Sequence, residues 1–166
     1  YNPAVTLYQA EVSTSPDYIP VQESSQTFNL GAEFISLSTN TAYYARVKAF
    51  NSSSVATAFA ALGSTYTLAV KPGAPAVPVY EAVFASSMTV YWSSGTAAGG
   101  YNPAGTLFNL ELATSTLFSQ VAISSRTYAL SAALTALTPN AIYYSRVQAL
   151  SGSGAGSDFA ILSGST

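Results

Sequence analysis

The sequence predicts an all-β protein of two antiparallel β-sandwiches in tandem, the first incomplete. Three observations carry that expectation. Apolar residues alternate with a period of two rather than 3.6, which sets alternate side chains on one face of a strand. Turn-forming clusters recur about every ten residues, the spacing of short sandwich strands. The chain also repeats itself at an offset of 100 residues: Tyr1-Asn2-Pro3-Ala4 returns as Tyr101-Asn102-Pro103-Ala104, and Tyr43-Tyr44-Ala45-Arg46-Val47 as Tyr143-Tyr144-Ser145-Arg146-Val147. The register runs without a gap to about residue 65, with about four positions in ten identical. A repeat of this length is a domain rather than a solenoid unit. Residues 74–100 precede the second copy and have no counterpart before the first, so the chain reads as a piece of a longer tandem array.

The elements can be justified in order through the second copy. Met88, Val90 and Trp92 fall on one face of a strand. Phe108, Leu110 and Leu112 do the same, with Asn109 and Glu111 opposite. Tyr143, Ser145, Val147 and Ala149 alternate with Tyr144, Arg146 and Gln148. Turn signals stand at 95–100, 138–140 and 151–156. The Ala- and Leu-rich stretch 130–137 offers a helical alternative, but it is short and the pattern around it is not helical. Lys71-Pro72-Gly73-Ala74-Pro75 is the expected linker, because two prolines and a glycine end a strand. The domain boundaries are then 1–70, a linker at 71–75, and 76–166. Pro78 suits an edge strand, where a missing N–H is tolerated and unwanted pairing is discouraged.

Composition narrows the function classes. Charged residues are 7% of the chain and the net charge is -2, with three Arg and two Lys spread singly. A neutral, hydroxyl-rich surface lacks charge repulsion and favours association. With no basic patch, nucleic acid is not expected as a partner. Hydrophobic residues are 49%, yet no apolar run approaches the roughly 20 residues of a membrane helix. There is no Cys and no His, which removes disulfides, zinc–thiolate sites, thiol nucleophiles and the commonest general base. Glu11, Asp17, Glu23, Glu33, Glu81, Glu111 and Asp158 form no metal-loop pattern, and a small sandwich offers no cleft for a paired-carboxylate site. No enzyme activity, cofactor or metal is expected.

Three places carry a family resemblance. Met88-Thr89-Val90-Tyr91-Trp92 is similar to the second strand of a fibronectin type III domain, with the buried Trp at its end. Leu137-Thr138-Pro139-Asn140-Ala141-Ile142-Tyr143 is similar to that family's L-x-P-x-T-x-Y corner, with Ala141 in place of the usual Thr. Tyr144-Ser145-Arg146-Val147-Gln148-Ala149 resembles the strand that follows. In the first copy the corner is Leu37-Ser38-Thr39-Asn40-Thr41-Ala42-Tyr43, which keeps Thr41 and loses the Pro. The chain thus resembles tandem fibronectin type III, immunoglobulin-like repeats of a bacterial-type extracellular protein. The resemblance implies seven strands in two sheets, placed at 77–84, 88–93, 107–113, 119–123, 127–130, 142–150 and 159–163. It leaves the first copy with the last five and without its first two. Tyr8, Ala10, Val12, Tyr43 and Val47 would then lose their cover. At about 25 cal/mol per Å² such exposure rivals a whole domain's stability. The absent strands are expected either in cis or from another chain, as in strand donation.

Site residues follow from the same reading. Glu11 and Arg46, recurring as Glu111 and Arg146, are expected on neighbouring strands and one outward face, as an ion pair or as a ligand grip. Tyr43 and Tyr143 are expected as corner tyrosines bonded to nearby backbone. Tyr44, Tyr144, Tyr91, Leu7 and Leu107 are expected to point outward, a surface for protein packing or sugar stacking. The two Tyr-Asn-Pro-Ala runs read as turns, with a contact between domains or chains as the alternative. Asn51-Ser52-Ser53 is an N-glycosylation triplet in a turn. The expected role is a structural segment of an extracellular or cell-surface filament, stalk or adhesin, whose partners are copies of itself or neighbouring repeats. The alternative is a polysaccharide-binding or spacer module.

Overall fold

The computed structural model describes residues 2–162 of the 166-residue chain. Among these residues every regular element is a strand. Two compact units divide the chain, Tyr1–Thr67 and Leu68–Thr166. The first holds β1 (Leu7–Ser13), β2 (Glu23–Thr27), β3 (Ala42–Phe50) and β4 (Ala60–Tyr66). The second holds β5 (Tyr80–Glu81), β6 (Met88–Tyr91), β7 (Gly95–Thr96), β8 (Gly100–Tyr101), β9 (Leu107–Ala113), β10 (Ile123–Thr127), β11 (Ser131–Leu134), β12 (Tyr144–Leu150) and β13 (Ala160–Leu162).

The second unit is a sandwich. One sheet runs β10-β9-β12-β13, the other β11-β6-β5, and β7-β8 is a small ribbon at the edge. Period-two alternation turns Met88, Val90 and Trp92 toward Phe108, Leu110, Leu112, Val147 and Ala149, and all are buried in one cluster. Trp92 meets Phe108 with ring centroids 5.9 Å apart and planes at 59°, a tilted contact suited to aromatic quadrupoles. The indole Nε1 is buried and has no hydrogen-bond partner among the described residues. Tyr80 packs against the cluster's edge and its hydroxyl shares a 2.8 Å hydrogen bond with Ser145 Oγ. Burial pushes this phenol above the ordinary tyrosine value, while the Ser145 bond pulls it down.

Several strands sit elsewhere than the sequence led us to expect. The strand placed at 77–84 contracts to Tyr80–Glu81, because Pro75 and Pro78 have no N–H to give to a ladder. The strand placed at 119–123 lies at Ile123–Thr127, because a turn from Ser115 to Phe118 occupies the preceding stretch. The strand placed at 127–130 lies at Ser131–Leu134, where Ala132 and Leu134 alternate inward against β6. The Ala-rich 130–137 stretch is therefore extended, not helical. Of the last strand, placed at 159–163, Ala160–Leu162 is observed and Ser163 lies outside the described residues. The segment expected as a linker packs into the second unit. Pro72 is fully buried, and Gly73 exchanges backbone hydrogen bonds with Ser93 at 3.0 and 3.2 Å. A Cβ at Gly73 would strike the Gly95 carbonyl, so no larger residue fits there without a shift.

The first unit is a single sheet, β2-β1-β3-β4. Its β1–β3 register copies that of β9–β12: Glu11 faces Arg46 as Glu111 faces Arg146, and Tyr8 faces Ala49 as Phe108 faces Ala149. Five strands were expected here and four form. Residues 31–34, the counterparts of β11, are not a strand. β11 pairs only with β6, and the first unit has no counterpart of β6 for residues 31–34 to pair with. The inward face is correspondingly open. Leu62 is 64% exposed where Leu162 is 3% exposed, and every residue of β4 is exposed. β4 also bulges beside Ala45 and Arg46, leaving Leu62 out of the ladder. Tyr8, Ala10 and Val47, expected to lose their cover, are half-buried, and Val12 and Tyr43 are buried. These two lie where loops fold back, with Ser13 Oγ bonded to Pro20 O and Tyr43 Oη to Ser38 N.

Trp92→Ala should destabilise the second sandwich by about 3–5 kcal/mol through loss of buried surface and a residual cavity. Trp92→Phe should cost far less, about 1–2 kcal/mol, because it deletes an N–H that has no partner here. Denaturant titrations followed by far-UV circular dichroism would separate the two.

Candidate functional site

The outer faces of both four-stranded sheets carry the same side-chain cluster. Arg46 Nε and Nη2 donate to Glu11 Oε2 at 2.8 and 2.6 Å, and Gln9 Nε2 donates to Glu11 Oε1 at 2.7 Å. In the second unit Arg146 Nε and Nη2 donate to Glu111 Oε2 at 2.8 and 2.7 Å, and Asn109 Nδ2 donates to Oε1 at 3.2 Å. Each guanidinium is also held against two rings. Arg46 Cζ lies 4.4 Å from the Tyr18 centroid and 3.9 Å from that of Phe59. Arg146 Cζ lies 4.4 Å from Phe118 and 4.1 Å from Phe159.

The local chain explains how the rings arrive. Tyr18 and Phe118 close turns onto Ser15 O and Ser115 O and adopt φ of 59° and 49°. Bulky residues rarely enter this left-handed region, so the surrounding contacts must hold them there. Tyr18 Oη adds a 2.9 Å bond to Ala45 O. Phe59 and Phe159 come from the residue just before the last strand of each sheet. The cluster therefore ties two central strands, a loop and an edge strand through one cation. Both carboxylate oxygens are engaged and the guanidinium is stacked, which suits a stabilising ion pair better than a ligand grip. Sequence reasoning found the Glu and Arg and missed Gln9, Asn109 and the four rings. The signal was present at the 100-residue offset: positions 9 and 109 are both amides, 18 and 118 both aromatic, and 59 and 159 both Phe.

The other singled-out residues are dispersed. Tyr43 and Tyr143 accept backbone N–H bonds from Ser38 and Thr138, each at 2.9 Å. Tyr44, Tyr144, Tyr91, Leu7 and Leu107 are half-buried, since each sits between neighbours on paired strands. The most exposed apolar side chains lie instead in loops, including Val5, Leu30, Ile35 and Leu117. Asn51 is exposed in the turn after β3, where its Oδ1 accepts N–H bonds from Ser53 at 3.0 Å and Val55 at 2.8 Å. Asn102, in the repeated Tyr-Asn-Pro-Ala run, is buried and ties together three backbone groups. Its Oδ1 accepts from Val70 N at 2.8 Å, and its Nδ2 donates to Val70 O at 2.8 Å and to Ser94 O at 2.5 Å. Its counterpart Asn2 is exposed and reaches Tyr8 Oη at 3.2 Å; Tyr1 of that run lies outside the described residues. Among the described residues no three acidic side chains gather into a cation site, and no helix is long and apolar enough to cross a membrane.

No family model and no curated protein matches this chain. Solved structures do. A two-domain fibronectin type III segment of chicken tenascin matches with a TM-score of 0.56 and 12% identity, covering 96% of this chain and 83% of that one. The FN1–FN3 domains of chicken CNTN1 match with a TM-score of 0.43 and 16% identity, covering 96% of this chain. The chain spans 55% of the length of that fragment. The tenascin likeness and the sheet order together show the fold: tandem fibronectin type III-like β-sandwich modules.

Arg146→Lys should destabilise the second unit by about 1–2 kcal/mol although charge is kept, because an ammonium replaces neither the fork nor the stack. Equilibrium unfolding in urea checks this; an unchanged midpoint would show that the rings contribute nothing. Asn102→Ala should cost about 2–3 kcal/mol by stranding the backbone groups of Val70 and Ser94. Hydrogen exchange at the Val70 amide should rise with it.

Proposed function

We propose that the chain is a structural segment of an extracellular filament, stalk or adhesin, built from β-sandwich modules in series. The observation that supports this most is the duplication itself. Sheet register, corner tyrosine and Arg–aromatic cluster recur as a set, so what the repeat preserves is a mechanical frame. Association with like modules follows from the surface chemistry. With 7% charged residues and several apolar side chains more than four-fifths exposed, little opposes close approach between copies. The polysaccharide-binding reading is less favoured, because the outward tyrosines are half-buried rather than presented as an open row.

Two measurements test this. Sedimentation of the full chain at rising concentration, with electron microscopy of the densest samples, should show concentration-dependent assembly. A strict monomer without fibres would overturn the associative part. Stretching single molecules by their ends should give a discrete unfolding event lengthening the chain by about 30 nm, from roughly 90 residues at about 3.4 Å each. Extension with no force peak would overturn the mechanical part.

A further inference from the structure

Sheet edges present unpaired backbone groups, and native sheets blunt them with charge, proline, bulges or shortness. Most edges of this chain follow that rule. β2 carries Glu23, and β10 carries Arg126. β5, β7 and β8 are two residues long, with Pro78 just ahead of β5, while β13 and β11 run three and four. β4 departs from it. At seven residues it is the longest edge strand among the described residues, and all seven are exposed. From Asn51 to Val70 there is no charged residue and no proline. Its one irregularity, the bulge beside Ala45 and Arg46, ends before Ser64. Past it the ladder is regular. Ser64 faces Tyr44, Thr65 faces Tyr43 and Tyr66 faces Ala42, and Thr67 N donates to Thr41 O at 3.0 Å. Hydrogen bonds alternate along an antiparallel pair. Thr67 and Thr65 therefore bond toward β3, and Ser64 and Tyr66 turn their N–H and C=O outward from the sheet.

We infer that β4 is an interaction surface for a second copy of this chain, which adds its own β4 antiparallel about a two-fold axis at Thr65. The inference rests on the association of like modules proposed above and names the surface that carries it. In this register the strand is its own complement. Ser64 meets Tyr66 of the second copy and Tyr66 meets its Ser64, so the outward N–H and C=O groups of these residues are exchanged as hydrogen bonds. Thr65 meets Thr65 in a close pair without backbone hydrogen bonds, an arrangement that Thr suits. A two-fold contact of this kind is the commonest in homo-oligomers. The edge offers a charged partner no opposite charge, whereas this chain, with 7% charged residues, brings a neutral strand. The far edge of the same sheet is a poorer mate. Pairing with β2 of a second copy brings up Glu23, whose Oε1 already accepts Ser36 N at 3.1 Å.

The chain has no cysteine, so a single introduced thiol reports its neighbours. Thr65→Cys places one on the axis, and Ser24→Cys places one on the exposed far edge, in β2. In a glutathione redox buffer the full chain with Thr65→Cys should form disulfide dimers at least about tenfold faster than with Ser24→Cys, because paired thiols start from a Cα separation of about 4.5 Å. Equal rates would mean chance collision and overturn the inference. A mixture of the two variants in which the mixed disulfide dominates would assign β4 to the far edge of the next copy, and so overturn the two-fold pairing. Ser64→Lys, at an exposed position, should leave the urea midpoint unchanged and weaken association in sedimentation by at least about tenfold, since a lysine on the edge opposes pairing. Association as tight as that of the natural chain would overturn this edge and leave the associative reading intact. A natural chain that stays monomeric at every concentration would overturn both.

Discussion

An apolar sheet face needs a second sheet over it, and this chain shows both outcomes of that requirement. In the second unit Leu110, Leu112, Val90 and Val147 are wholly removed from water between two sheets. Each such side chain contributes about 1.5–3 kcal/mol. In the first unit the same backbone register presents the same face without the facing strands. β4 is exposed along its length, Leu62 leaves the ladder, and residues 31–34 do not become a strand. Residues 31–34 thus lack the partner that 131–134 find in β6.

The outer face is organised differently, by a cation. Among the few charges in the chain, two Arg–Glu pairs fasten segments together. Arg46 and Arg146 each meet a carboxylate through two N–H groups and two aromatic rings through their faces. A planar guanidinium is suited to this because the fork and the stack use different directions of the same group. The left-handed backbone at Tyr18 and Phe118 is held in place by these contacts. The first unit keeps this cluster intact although its inner face is open. The two layers of stabilisation are therefore separable, and the outer cluster does not depend on the sandwich being closed.

Much of the fold was legible in the chain. The period of two, the 100-residue repeat and the corner residues 137–143 lead directly to a sandwich with Trp92 at its centre. So did the pairing of Glu11 with Arg46. Boundaries were less legible. Strands β10 and β11 lie four residues beyond their expected positions, because hydrophobicity at Leu117, Phe118, Tyr128 and Leu130 mimics a strand while serving turns. Asn102 looked like a turn former, but it is a buried clamp. A side chain whose backbone partners lie 8 and 32 residues away leaves no local signature.

The sequence by itself determined the strand periodicity and the duplication, since these depend on spacing along the chain. Only the tertiary structure decided which ring stacks on which cation, that residues 69–73 belong to the second sandwich, and that the 31–34 segment stays unpaired. Those outcomes depend on partners that lie on different elements, well separated along the chain, and no local pattern encodes such a partner.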